Sequence, residues 1–211
     1  MGRPGGSLPF TLDAPMKLVI LDRDGTINAD SADFIKTPDE WMPLPGALEA
    51  IARLNHAGWH VAVATNQSGL GRGLFDVASL NAMHAKMHKL LAVVGGRVDA
   101  IFYCPHTPDD KCHCRKPAPG LFEQIGERYG IDLHGVPVVG DATRDVVAGA
   151  LAGCEPHLVL TGNGAVYRGR PLPESFPAHT QVHEDLGAFA DWLVRRDASA
   201  AQPSSSTFLP L

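Results

Sequence analysis

The chain is poor in four things that would otherwise direct a reading of its function. No stretch approaches the roughly 18–20 uninterrupted apolar residues that cross a bilayer as a helix, and the opening MGRPGGSLPFTLDAP lacks the apolar run of a signal peptide. The expectation is a cytoplasmic protein with no membrane partner. Positive charge is not in excess, since 18 Lys and Arg face 23 Asp and Glu for a net charge of −5. A duplex-binding surface needs a basic footprint, so no nucleic acid partner is expected. Aromatic residues are only 7%, and no heptad pattern signals self-association, so a monomer is the default. Cysteine is scarce as well: four in 211 residues, with three between Cys104 and Cys114. That clustering suits a metal clip in a reducing compartment rather than disulfides. Cys154, alone among Ala, Gly and Leu, reads as a small buried hydrophobe.

What is present is an alternation of strands and helices. Aliphatic runs at 17–21, 61–64, 100–103, 136–139 and 158–160 read as strands buried on both faces. Helical patterns fall at 45–55, 121–129, 145–151 and 186–194, and a clearer one follows Asp76 as N-cap, with Val77, Leu80, Met83, Met87, Leu90 and Leu91 on one stripe. Such alternation predicts an α/β fold, a mostly parallel central sheet with helices on both faces. One domain is expected over 16–197, with flexible tails at 1–15 and 198–211 where Gly, Pro, Ser or Ala dominate without period. Ligands of such sheets bind at the carboxyl ends of the strands, so the residues there bear the chemistry.

The first strand ends in Asp22-Arg23-Asp24-Gly25-Thr26. Two carboxylates two residues apart make an ordinary polar turn, or a nucleophile at Asp22 beside an acid/base at Asp24. A divalent cation would remove the repulsion between those acids and a phosphate. The second strand ends in Thr65-Asn66-Gln67-Ser68-Gly69, small polar groups and backbone N–H donors that could cradle a phosphoryl group or merely turn the chain. Lys116, before Pro117, is a surface charge by default but could neutralise a phosphorylated intermediate. After the fourth strand, Gly140-Asp141 with Asp145 beyond it offers an acid for the cation, or a helix cap.

In order, these four segments resemble the motifs of the haloacid-dehalogenase (HAD) phosphatases, across Asp22–Asp145. The resemblance implies a Rossmann-like HAD fold, Asp22 as nucleophile and Asp24 as acid/base. It further implies Thr65 and Lys116 as phosphoryl stabilisers, and Mg²⁺ held by Asp22, the Asp24 backbone carbonyl and Asp141. No insertion between Gly25 and Val61 is long enough for a large cap domain.

Cys104-Pro105-His106, then Cys112-His113-Cys114, offers three thiolates and an imidazole, a donor set for structural Zn²⁺. His106 is preferred to His113 as ligand because His113 is flanked by two ligating cysteines. Two HAD subgroups carry this clip: phosphatases of the C7 phosphate of D-glycero-D-manno-heptose 1,7-bisphosphate, in heptose and lipopolysaccharide synthesis, and histidinol-phosphate phosphatases. The chain resembles the former over roughly 17–192, notably in Gly71-Arg72-Gly73. That resemblance implies a small phosphorylated sugar as substrate, contacted by Asn28, Ala29, Asp30, Ser31, Thr65, Asn66, Gln67, Ser68, Arg115 and Lys116. Arg115 could fork onto a second phosphate. A histidinol-phosphate phosphatase, a polynucleotide 3′-phosphatase and a zinc-ribbon-like binding module are the competing readings.

Overall fold

The computed structural model describes residues 16–200. Six strands form one parallel sheet in the order β3-β2-β1-β4-β5-β6. They are β1 (Leu18–Leu21), β2 (His60–Asn66), β3 (Ala100–Cys104), β4 (Pro137–Gly140), β5 (Glu155–Val159) and β6 (Gln181–His183). Six helices cover the sheet: α1 (Ala47–His56), α2 (Ser68–Gly71), α3 (Val77–Val93), α4 (Gly120–Tyr129), α5 (Thr143–Leu151) and α6 (Leu186–Ala200).

Because strand side chains alternate between faces, β1 divides its apolar residues between two cores. Val19 and Leu21 join Ile51, Leu54, Met83, Met87, Phe189 and Leu193 under α1, α3 and α6. Leu18 and Ile20 join Leu121, Phe122, Ile125 and Val138 on the opposite face. Each such burial is worth roughly 1.5–3 kcal/mol, and every residue of β1 is buried. Cys154 lies in the second core, as its context suggested. At α3 the Asp76 carboxylate accepts from the Ser79 N–H at 2.8 Å, capping the helix where expected.

The last part of the chain departs from expectation. The fifth strand begins at Glu155, three residues before the aliphatic run, because its polar His157 is buried and its side chain meets His183 of β6 at 3.1 Å. β6, Gln-Val-His, was not foreseen: two of its three residues are polar. Residues 198–200, expected in a tail, form the last turn of α6. The expected tails otherwise lie outside the described residues. No helix among the described residues is long and apolar enough to cross a membrane, and no cap domain is inserted between β1 and β2.

β1 sits where the strand order turns: from it the chain crosses one way to β2 and β3, and the other way to β4 and β5. A parallel sheet opens a crevice outside the carboxyl ends at such a point. Asp22 is the residue delivered there.

Candidate active site

Asp22 leaves β1 with its N–H bonded to Val139 O at 2.8 Å, which fixes its backbone to β4. Carboxylate oxygens of Asp22, Asp141 and Asp145 lie within 4.8 Å of one another, and all three residues are buried. The Lys116 ammonium reaches Asp22 Oδ1 at 2.6 Å and Asp145 Oδ1 at 2.7 Å, and donates to Ala64 O at 2.7 Å. Burial, then the Asp145 charge, push the Asp22 carboxyl up to about 8 against the pull of Lys116. The same two causes raise Asp141 to about 6. Burial alone would lower Lys116, yet Asp145 and Asp22 hold it above its ordinary value.

Three buried acids against one ammonium leave excess negative charge, and Asp141 Oδ1 has no hydrogen-bond partner. A divalent cation fits both facts. The backbone is shaped around this cluster: Gly25 has φ +84°, and a Cβ there would stand 2.0 Å from Asp141 Oδ2. Asp145 is the acid that the sequence reading left without a role. Its signal was the Asp-x-x-x-Asp spacing, which brings it back beside Asp141 at the start of α5, where it also accepts from the Ala142 N–H at 3.0 Å.

Asp24 is held differently. Its Oδ1 accepts from Arg23 Nε at 3.1 Å, Arg23 Nη2 at 2.8 Å and Asn28 Nδ2 at 2.9 Å. Its Oδ2 accepts only from Gln67 Nε2, at 2.8 Å. Burial opposes ionisation, but Arg23 and these donors outweigh it and bring the carboxyl below its usual value. Gln67 Nε2 also reaches Thr65 Oγ1 at 2.9 Å, tying Asp24 to the end of β2. Asn66 grips the Lys116 backbone twice, its amide donating to O and accepting from N at 3.1 Å each.

Above this floor lies a cavity of about 270 Å³, walled by Asp22, Asp24, Asp30, Ser31 and the segment Thr65–Ser68. Its cations are Arg23, Arg72, Arg115 and Arg144, and its apolar wall includes Phe34 and Phe75. The Arg72 guanidinium stands 5.9 Å from the centre of the Phe34 ring. Three expected substrate contacts lie elsewhere. Asn28 is fully buried, with the N–H₂ of its amide donating to Asp24 and Ala29 O. Ala29 is drawn away by its N–H bond to Met42 O at 2.9 Å and does not line the cavity. Lys116 lies beneath the cavity on Asp22. Arg72, Arg144, Phe34 and Phe75 were not among the expected contacts; only Arg72 carried a signal, a lone cation between two glycines.

The clip closes at the end of β3. His106 Nδ1 lies 3.5 Å from Cys104 Sγ and 3.3 Å from Cys114 Sγ. The three sulfurs are 3.3–3.6 Å apart. Edges of about 3.5–3.8 Å follow from tetrahedral Zn–S and Zn–N bonds, so the four atoms fit one zinc ion. Burial, then its hydrogen bond with Cys114, push the Cys104 thiol up to about 12, which a bound cation would reverse. His113 turns outward to Glu123 Oε2 at 2.6 Å. Arg115 Nη1 donates to His106 O at 3.2 Å, so the clip carries a wall of the cavity.

The HAD-hydrolase-like family model matches residues 113–188. The D-glycero-beta-D-manno-heptose-1,7-bisphosphate 7-phosphatase of Bordetella bronchiseptica is 59% identical over 180 residues, 85% of this chain and 99% of that one. Its namesake from Pseudomonas aeruginosa is 56% identical over 178 residues, 84% and 98% respectively. The crystal structure of the D,D-heptose 1,7-bisphosphate phosphatase of B. bronchiseptica, complexed with magnesium and phosphate, superposes with a TM-score of 0.82 at 58% identity. That superposition covers 86% of this chain and 99% of that one.

Proposed function

Since the chain belongs to the heptose-1,7-bisphosphate 7-phosphatase family of HAD hydrolases, we propose that it removes the C7 phosphate of D-glycero-D-manno-heptose 1,7-bisphosphate. The protein is a hydrolase of phosphate esters. The setting proposed is cytoplasmic synthesis of nucleotide-activated heptose for lipopolysaccharide, by a monomer. One observation carries the substrate: a small cavity has a buried acid–lysine floor and the guanidinium-bearing side chains of Arg72, Arg115 and Arg144 in its walls. A molecule with a phosphate at each end meets both.

In this reading an Asp22 carboxylate oxygen attacks phosphorus, and the bond from phosphorus to the sugar oxygen breaks. Asp24, ionised in the free site, takes up a proton on Oδ2 when the negative charge of the phosphate arrives beside it, and delivers that proton to the departing alkoxide. It then takes one from the water that attacks the aspartyl-phosphate, and inorganic phosphate leaves. Thr65 Oγ1 and Lys116 Nζ hold phosphoryl oxygens, positioning and neutralising them as phosphoryl transfer demands. Magnesium held by Asp22, Asp141 and the Asp24 carbonyl, with Asp145 beside it, supplies charge neutralisation when bound. Zinc in the clip is structural, its four protein ligands leaving no open position.

Two results are expected. With magnesium present, kcat/KM for phosphate release from the heptose bisphosphate exceeds that from histidinol phosphate. Arg115→Ala raises KM for the bisphosphate about tenfold, the loss of one charge-assisted bond of ~1.5 kcal/mol. A preference for histidinol phosphate at matched concentration would overturn the substrate assignment. The second result concerns pH. With magnesium omitted, Asp22 at about 8 and Asp141 at about 6 bind protons more tightly folded than at their ordinary 3.8. At these two acids the folded state then holds more protons than the unfolded one, so their contribution to stability falls as pH rises towards about 8. Thermal melts from about pH 7 to about pH 8, above the range in which His84 and His183, held near 4 in the fold, take up protons on unfolding, should show Tm declining. Added magnesium should flatten the decline, and a Tm that rose with pH in its absence would contradict the account.

A further inference from the structure

We infer that His84, on α3, is a positioning residue for the phosphatase reaction: through the Arg23 guanidinium it fixes the Asp24 carboxylate with Oδ2 as the oxygen that carries the proton. The inference rests on the acid/base role proposed for Asp24.

The geometry runs outward from Asp24. Oδ1 is saturated, accepting from Arg23 Nε at 3.1 Å, Arg23 Nη2 at 2.8 Å and Asn28 Nδ2 at 2.9 Å. A proton placed there would displace a donor. Oδ2 has one donor, Gln67 Nε2 at 2.8 Å, and room for the proton that the leaving group needs. Arg23 therefore chooses between the two oxygens: its Nε and Nη2 converge on Oδ1, and with Gln67 on Oδ2 they fix the plane of the carboxylate.

That grip must itself be held. The Arg23 side chain is 1% exposed, and a guanidinium cannot shed its charge, so its remaining nitrogen needs a protein partner. Nη1 meets His84 Nε2 at 3.3 Å, in a buried contact across 61 residues of sequence. Burial, then the charges of Arg23 and His88, lower the His84 imidazole to about 4. At neutral pH it is uncharged, with Nε2 free to accept and the ring proton on Nδ1. Without this acceptor Nη1 would be stranded in the core, and the guanidinium would rotate towards another partner. The carboxylate would turn with it.

The test uses the leaving group. A sugar alkoxide must be protonated as it departs, whereas p-nitrophenolate leaves without help. kcat/KM reports the steps through phosphoryl transfer to Asp22 and omits the later hydrolysis. His84→Leu, which keeps bulk but has no acceptor, is expected to lower kcat/KM about tenfold for the heptose bisphosphate, through kcat. For p-nitrophenyl phosphate the loss should stay within about twofold. His84→Gln, whose carbonyl can take the place of Nε2, should restore most of the loss. His84→Ala, run in parallel should leucine not be accommodated, should show the same split.

Equal losses on both substrates, or no loss on either, would overturn the positioning role. Asp24→Asn separates the two layers of the argument. If it shows the split and the His84 variants do not, only the inference falls. If Asp24→Asn shows no split either, the acid role beneath it falls as well.

Discussion

Asp22→Asn is expected to lower phosphate release by about 10⁴-fold or more, the scale seen when a covalent nucleophile is removed, while leaving the protein folded. Both halves follow from the site. An amide has the shape of the carboxylate but cannot form the acyl phosphate, so no other group in the cavity inherits the step. Stability is spared because the lost charge is a disfavoured one: burial, Asp145 and Asp141 all oppose its ionisation. Lys116 is not orphaned, since Asp145 Oδ1 and Ala64 O remain at 2.7 Å each. With magnesium omitted, the variant's Tm at neutral pH should equal or exceed that of the parent. Phosphate release within tenfold of the parent would remove Asp22 from the nucleophile's place.

The second large effect is expected from the clip. Stripping zinc with a strong chelator, or replacing Cys114 with Ser, should lower Tm by about 10 °C, equivalent to ~3 kcal/mol in a chain of this size. Full structural sites in isolated peptides are worth more, but here the two cores persist without the clip. Activity should fall with the fold, because Cys114 is followed directly by Arg115 and Lys116. The ammonium that neutralises Asp22 and Asp145 is thus two residues from a cysteine of the clip. Zinc should restore activity to the stripped protein, and magnesium alone should not. If strong chelation moved neither Tm nor activity, the clip would have no structural role.

The chemistry of the floor was the most legible part of the sequence. Asp22, Thr65 and Asp141 each close or follow an apolar run, and parallel strands bring such positions to one edge whatever lies between them. Lys116 could be placed only by resemblance, since nothing local says that a lysine before a proline is 2% exposed. Asp145 was visible but ambiguous, because an acid at the start of a helix is ordinary. Asn28, expected at the substrate, is buried against Asp24 for a physical reason: a buried carboxylate needs donors, and the neighbouring amide supplies one. The wall residues Phe34, Phe75 and Arg144 were illegible, for they converge from separate segments without a shared period. β6 was missed because Gln181 and His183 hide its pattern. His84 lay in plain view on an apolar helical stripe, where its bland meaning was core.

The floor of the cavity comes mainly from the ends of the central strands β1, β2 and β4, completed by Lys116 from beyond the clip and Asp145 from α5, while its walls come largely from loop segments and the clip. Exchanging Phe34, Arg72 or Arg115 therefore leaves Asp22, its bond to β4 and its acid neighbours where they are. The reaction is inherited with the sheet, and the choice of what reacts is written on parts that can be revised one at a time. A lineage built on this plan can change its diet without relearning its chemistry.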